Sequence, residues 1–316
     1  MKPANIYTQK PINDRMGAIG LGTIGGMLAE RGLRHNRIEP ARLFVYDHHE
    51  ENIQKLTDRY PEVNVCRNEA EVLGNADRLI VSIKPPGIPN LLTNLRHMYT
   101  GREERLPELY VTTSHYDDEQ LAALWPKPCV SFLPTIAGVI DRGVVLAHHP
   151  AEMDNERVRL FELFMRPQCH ELRWVEWSDF PAPNNLTGCA PAFVAYMVQA
   201  MADATQLSRP NMRSDELVDL AKEALISTCL LLDHRGVSPL ELVSSVGSPG
   251  GITYTALSAL EETFPDTFGE LVRRSVKRHH QADAEAALAV EQALAGAAPA
   301  KDLPKNVTPE DVAPRV

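Results

Sequence analysis

A chain of 316 residues is longer than one hydrophobic core usually organises, so two domains are expected. Hydrophobic residues at 44% and charged residues at 23% give the balance of a globular protein. The formal net charge of −10 argues against nucleic acid or an anionic membrane as partner, because a phosphate surface would repel it.

Residues 1–11 are polar and lack the apolar centre of a signal peptide, and no uncharged apolar run approaches ~20 residues, so a cytoplasmic location is expected. Residues 15–20 predict a first strand and 24–34 a helix. A second strand follows over 42–46 and a helix over 51–60. Residues 78–83 are a run apolar apart from Arg78 and Ser82 and stopped by Lys84-Pro85-Pro86, as in a parallel strand buried on both faces. Further strands are predicted over 109–113, 129–132 and 143–147, with an edge strand over 171–175. This alternation of apolar runs and amphipathic stretches is the rhythm of a parallel α/β sheet.

Beyond about residue 183 the period changes. Ala190, Phe193, Val194, Met197, Ala200, Met201 and Ala204 recur at helical spacing. Leu217, Leu220, Ala221, Ala224, Leu225, Thr228 and Leu232 do so again, with Gly236 where a helix-ending glycine is expected. Residues 253–262 and 266–294 predict two more helices. The expected organisation is an α/β dinucleotide-binding domain over 1–180, an all-α domain over 181–295, and a tail over 296–316 too rich in alanine, proline and charge to fold.

The turn Gly20-Leu21-Gly22-Thr23-Ile24-Gly25 lies between an apolar strand and a helix, the context in which G-x-G-x-x-G holds a dinucleotide. Gly20 permits the tight turn, Gly22 lets backbone approach a pyrophosphate, and Gly25 lets the helix pack on the sheet. The helix start then offers N–H groups and a positive dipole end to phosphate. The second strand ends at Asp47, where a carboxylate accepts bonds from ribose hydroxyls and repels an additional phosphate; NAD(H) is favoured over NADP(H). His48 and His49 weaken that repulsion when protonated, and a solvated loop carboxylate is the competing reading of Asp47.

The segment Ser248-Pro249-Gly250-Gly251-Ile252-Thr253 falls between two predicted helices. Its glycines expose backbone N–H groups and Ser248 and Thr253 add hydroxyls, which suits a small carboxylate; from the residues alone a helix-capping turn is an equal reading.

In its surroundings this segment resembles the Ser-Pro-Gly-Gly-x-Thr motif of pyrroline-5-carboxylate reductases. Lys84-Pro85 and Gly188-Cys189-Ala190-Pro191-Ala192-Phe193 resemble two more motifs of that family, in the same order. The resemblance implies a Rossmann N-terminal domain, an all-α C-terminal dimerisation domain, and a homodimer that assembles in some members into a larger ring. It implies reduction of a small cyclic imino acid, 1-pyrroline-5-carboxylate, to L-proline by hydride from NAD(P)H. Carried over by position, Ser248, Gly250, Gly251 and Thr253 would hold the substrate carboxylate, with Thr253 nearest a catalytic role. Gly20, Gly22, Thr23, Ile24, Gly25, Asp47, Asn68, Ser82, Lys84 and Pro85 would line the cofactor.

Two departures bear on substrate. Where the family reads Pro-Asn-Thr-Pro-Ala, this chain has Leu133-Pro134-Thr135-Ile136-Ala137-Gly138, and the family's Ser-Gly ahead of Pro-Ala becomes Thr187-Gly188-Cys189-Ala190. A reductase of another cyclic imine and a dimeric dinucleotide-binding protein without catalysis therefore stay open. The glycine turn also resembles that of β-hydroxyacid dehydrogenases, but the lysine and asparagine four apart that those enzymes need are absent, Lys222 being followed at that distance by Ile226. Imine reductases lack that requirement. The pairs His48-His49, His148-His149 and His279-His280 read as solvated surface histidines, since neighbours in sequence point to different faces; no metal site is expected. Trp174 and Trp177 read as packing residues. Cys66, Cys129, Cys169, Cys189 and Cys229 are odd in number and form no C-x-x-C pair, which fits free thiols in a reducing compartment.

Overall fold

Short β-branched and aliphatic runs build the sheet, and amphipathic helices cover both of its faces. The structure, a computed structural model, describes residues 12–208, 211–248 and 250–296. The first eleven residues and the expected tail lie outside the described residues, apart from Gly296, which ends the last helix.

In chain order the first unit holds β1 (Met16–Ile19), α1 (Thr23–Arg34), β2 (Leu43–Tyr46), α2 (Glu50–Thr57), β3 (Asn64–Val65) and α3 (Glu69–Asn75). It continues with β4 (Arg78–Val81), α4 (Ile88–His97), β5 (Glu108–Val111), α5 (Asp118–Leu124) and β6 (Cys129–Leu133). It ends with β7 (Val144–His148), α6 (Asn155–Met165), β8 (Glu171–Trp174) and the short α7 (Asn184–Thr187). The strands lie in the order β3-β2-β1-β4-β5-β6-β7-β8. All neighbours are parallel except β6 and β7, which pair antiparallel. The expected parallel sheet is thus found, with one antiparallel junction between β6 and β7. A parallel pair needs a crossover of a dozen or more residues, and the segment 134–143 is too short to make one. Strand β3 escaped prediction because two residues carry no period.

Alternation along β1 divides the core. Met16 and Ala18 face one layer with Leu28 of α1 and with Phe161 and Phe164 of α6. Ile19 faces the other layer with Val72 of α3, Leu92 of α4, Leu124 of α5 and, from the end of the last helix, Ala286 and Val290. Phe132, Phe161 and Phe164 are fully buried, each contributing about 1.5–3 kcal/mol by leaving water.

The second unit, residues 189–276, holds α8 (Ala190–Gln206), α9 (Ser214–Arg235), α10 (Pro239–Val246) and the first part of α11 (Ile252–Gly296). Helix α9 ends as expected on Gly236, at φ 61°. The two helices expected over 253–262 and 266–294 are one: Pro265 lies inside α11 and forfeits a backbone bond without stopping it. Residues from Lys277 onward group with the first unit, so the second unit spans 189–276 where the sequence suggested 181–295.

Among its described residues this unit buries only Ala202, Leu217 and Ala221 as hydrophobic core. Tyr196, Leu230, Leu240 and Ile252 are 76%, 55%, 78% and 92% exposed. Helices that leave so much apolar surface in water lack a core of their own. No helix among the described residues is long and apolar enough to cross a membrane.

Candidate functional site

The sheet's strand order reverses between β1 and β4, and ligands of open α/β sheets bind outside the carboxyl ends of the strands at such a point. The glycine turn occupies that place. Gly20 adopts φ 87°, and a Cβ there would sit 2.4 Å from the carbonyl oxygen of Ser82, so only glycine fits. A Cβ on Gly25 would lie 1.8 Å from the carbonyl oxygen of Gly20, which explains how closely α1 approaches the strand. A Cβ on Gly22 would meet nothing within 4 Å. Gly22 opens α1, no described side chain caps that helix, and Thr23 beside it is exposed. Open space in front of free N–H groups at a positive helix end is a cradle fit for a pyrophosphate.

Asp47 is not a solvated loop carboxylate. Its side chain is 8% exposed; Oδ2 accepts the Leu21 N–H at 2.6 Å and Oδ1 the His49 N–H at 2.7 Å. Burial pushes its pKa up, but the backbone donors of His49 and Leu21 and the Asn52 side chain outweigh this and hold it below the ordinary carboxylate value. Asp47 therefore pins the glycine turn to the end of β2 as a fixed negative charge, with lone pairs left for a ligand. His48 and His49 are exposed beside it, His48 within 3.4 Å of Glu69.

The remaining expected cofactor residues share that edge. Asn68 caps α3, its Oδ1 accepting the Glu71 N–H at 2.9 Å. Ser82 follows β4 and accepts a hydrogen bond from the Thr112 hydroxyl at 3.1 Å. Ile24 packs against the core, Lys84 is exposed, and the Pro85 carbonyl accepts the hydroxyl of the buried Tyr116. Ser82 and Thr112 tie the ends of β4 and β5 together; the β5 end was not singled out from sequence, having no motif.

In the second unit Ser248, Gly250, Gly251 and Thr253 form the turn into α11. The Gly251 N–H donates to the Ser248 carbonyl at 2.9 Å, and Gly250 takes φ 78°. Pro249 lies outside the described residues. Ser248, Gly250 and Thr253 are exposed at the start of a helix. That geometry fits both a carboxylate cradle and a capping turn.

The histidine pairs divide differently from expectation. His48, His49 and His280 are exposed, but His148 and His279 are not. His148 bonds the Val175 carbonyl at 2.9 Å and faces Asp118 at 3.1 Å, joining β7 to the segment after β8. His279 packs against His115, and burial lowers its pKa despite Asp283 nearby. Trp174 packs as expected, on Phe161, with its Nε1–H donating to Glu162 at 2.9 Å. The five cysteines are all free thiols.

Residues 178–282 match the family described as pyrroline-5-carboxylate reductase dimerisation, and residues 15–102 match NADP oxidoreductase, coenzyme F420-dependent. The pyrroline-5-carboxylate reductase of Treponema pallidum is 28% identical over 252 residues, covering 78% of this chain and 92% of that protein. The chain is distantly related to the pyrroline-5-carboxylate reductases and carries their dimerisation region. It combines a Rossmann dinucleotide-binding domain of the NAD(P)-dependent reductase type with the family's dimerisation domain. Relatives at similar distance include ComE operon protein 4 of Bacillus subtilis, 23% identical over 268 residues, covering 84% of this chain and 96% of that protein. The fold matches the crystal structure of Plasmodium falciparum pyrroline carboxylate reductase with NADP bound, at TM-score 0.73 and 18% identity, over 87% of this chain and 99% of that one.

The segment from Leu133 to Gly138, expected from the resemblance to bear on substrate, is held by contacts to α1 and to its own turn. Ile136–Ile140 form a 3-10 turn capped by Thr135. Asp141, at φ 56°, accepts from the Arg31 Nε–H at 2.9 Å and faces His35 at 2.6 Å, both on or just after α1. A Cβ on Gly138 would press on Met27 at 3.0 Å. The turn is thus clamped onto the helix that begins at the glycine motif, with Ile136 and Val139 41% and 49% exposed.

Proposed function

We propose that this chain reduces the C=N bond of a small cyclic imino acid, 1-pyrroline-5-carboxylate, to the amino acid L-proline, with NADH as reductant. The observation that carries the reading is the open, uncapped start of α1 beside Gly22, in a chain whose residues 178–282 match the dimerisation region of enzymes named for that imine. Bound NADH supplies a hydride to the imine carbon. The α1 N–H groups hold the pyrophosphate, and Asp47 faces the adenosine ribose, where its fixed charge favours NAD(H) over NADP(H). Lys84, Pro85, Asn68 and Ser82 complete the wall at the strand ends.

Ser248, Gly250, Gly251 and Thr253 bind the substrate carboxylate through backbone N–H groups and hydroxyls, and Thr253 orients the ring. A cyclic imine protonates readily on nitrogen, so positioning carries most of the acceleration and no strong general acid is required. The reaction consumes one hydride and one proton for each imine. The exposed apolar faces of α8 to α11 are covered in a homodimer, as the matched dimerisation region supports.

The test is steady-state NADH and NADPH oxidation across cyclic imines of five- and six-membered ring, with and without the carboxylate. Turnover highest on the five-membered imino acid with NADH is expected. The altered turn at Leu133 to Gly138 favours a second reading, a different ring, and the same panel identifies it. Cofactor binding without turnover on any imine would reject the reductase reading.

A further inference from the structure

Away from the glycine turn, three side chains converge that the reductase chemistry does not use. His279 and Asp283 stand four residues apart on α11, hence on one face of the helix. Both belong to the stretch of α11 that packs with the first unit, where Ala286 and Val290 are buried in its core. His115 comes from the loop after β5. Its position is set by rigid neighbours: Thr113 and Ser114 are 1% and 2% exposed, Tyr116 is fully buried, and the His115 N–H donates to the Thr113 hydroxyl at 3.2 Å.

His115 Nδ1 lies 2.8 Å from Asp283 Oδ1 and His279 Nδ1 lies 3.1 Å from Asp283 Oδ2. One ligand atom from each of the three residues falls within 4.8 Å of the others. Their side chains are 21%, 10% and 19% exposed for His115, His279 and Asp283, neither sealed nor freely solvated. Ser114 Oγ sits 2.9 Å from His279 Nε2. By accepting Nε2–H it leaves the Nδ1 lone pair directed at the cluster, the supporting bond that metal-binding histidines ordinarily have.

We infer that His115, His279 and Asp283 form a binding site for a divalent transition-metal ion of the zinc class. Two imidazoles and one carboxylate are the donor set that such ions prefer, whereas magnesium and calcium prefer oxygen alone. Three protein ligands leave a position for water. The ion fastens the end of α11 to the carboxyl edge of β5. In the sequence the adjacent pair His279-His280 hides this site, because the informative spacing is His279 to Asp283 and the third member, His115, is 164 residues away by number (279 − 115).

The test is titration of the full, tag-free chain with Zn²⁺ by calorimetry and with Co²⁺ by absorption. One equivalent should bind, with cobalt bands in the visible and no thiolate charge-transfer band. His115→Gln and Asp283→Asn should each weaken binding roughly a hundredfold or more, and Ser114→Ala by about 10–100-fold, the usual effect of removing a supporting bond. His234→Ala, an exposed histidine of α9, should leave it unchanged. Zinc at a hundredfold excess over its Kd should raise the Tm of the wild-type chain by about 5 °C or more. Circular dichroism confirms that each variant is folded. Absence of stoichiometric binding to the wild-type chain, binding that survives both ligand substitutions, or a thiolate band in the cobalt spectrum would each overturn the assignment.

Discussion

Replacing Asp47 with asparagine removes one charge at nearly constant shape, and the structure sets its cost. The carboxylate accepts two backbone N–H groups, from Leu21 at 2.6 Å and His49 at 2.7 Å, in a side chain 8% exposed. Asparagine keeps one acceptor and turns an NH₂ group toward the other donor. Losing one charge-assisted bond in this way costs about 1.5–3 kcal/mol. The sign with pH follows from the direction of the shift. Because the folded pKa of Asp47 lies below its ordinary value, its contribution is complete above the unfolded pKa of about 3.9 and is lost as pH falls through the folded one. The stability gap between wild type and Asp47→Asn should therefore be constant from neutral pH to about 5 and close in stronger acid. Removing the charge also relieves repulsion of a second phosphate by about 1–4 kcal/mol at ~4 Å, roughly fivefold to several hundredfold in relative NADPH affinity. Nicotinamide fluorescence titrations of both proteins with NADH and NADPH read this ratio. A wild-type preference for NADPH, or a ratio unchanged in the folded variant, would refute the role given to Asp47.

Gly25→Ala drives a methyl to within 1.8 Å of the Gly20 carbonyl oxygen, where neither backbone can yield, so a loss of about 1–3 kcal/mol or more is expected; an unchanged melting temperature would contradict the packing described. Thr253→Ala should lower kcat/KM for the imino acid at least tenfold while leaving NADH affinity intact, and unchanged kinetics would remove that residue from the site. Light scattering should give a dimer or a multiple of it, because the second unit buries only three hydrophobic side chains of its own among the described residues; a stable monomer would leave those faces unexplained.

How far the sequence could be read depended on whether the deciding contacts were local. The β1 strand, the glycine turn and α1 form one continuous stretch with a strand period, a turn and a helix period, and all three were legible. So was the centre of β4, because Leu79-Ile80-Val81 is an unbroken apolar run of a strand buried on both faces. The antiparallel β7 was not, since strand direction depends on the length of a connection rather than on its residues. Proline suggested a break at Pro265 that the long flanking helix absorbs. Asp47 was found by position, but its burial and its bonds to Leu21 and His49 follow from how the turn closes over β2. The cluster of His115, His279 and Asp283 is brought together only by α11 returning to the sheet. The turn at Ser248 to Thr253 was recognised as a motif, yet its ligand is a property of what faces it.

The central claim is that a hydride passes from NADH held at the glycine turn to the imine carbon of a cyclic imino acid. Reaction with NADH deuterated at the transferring position and 1-pyrroline-5-carboxylate, followed by mass spectrometry and NMR of the product, tests it most directly. One deuterium on the former imine carbon of proline, for each NADH consumed, is the expected result. Tight NADH binding with no labelled proline would contradict it.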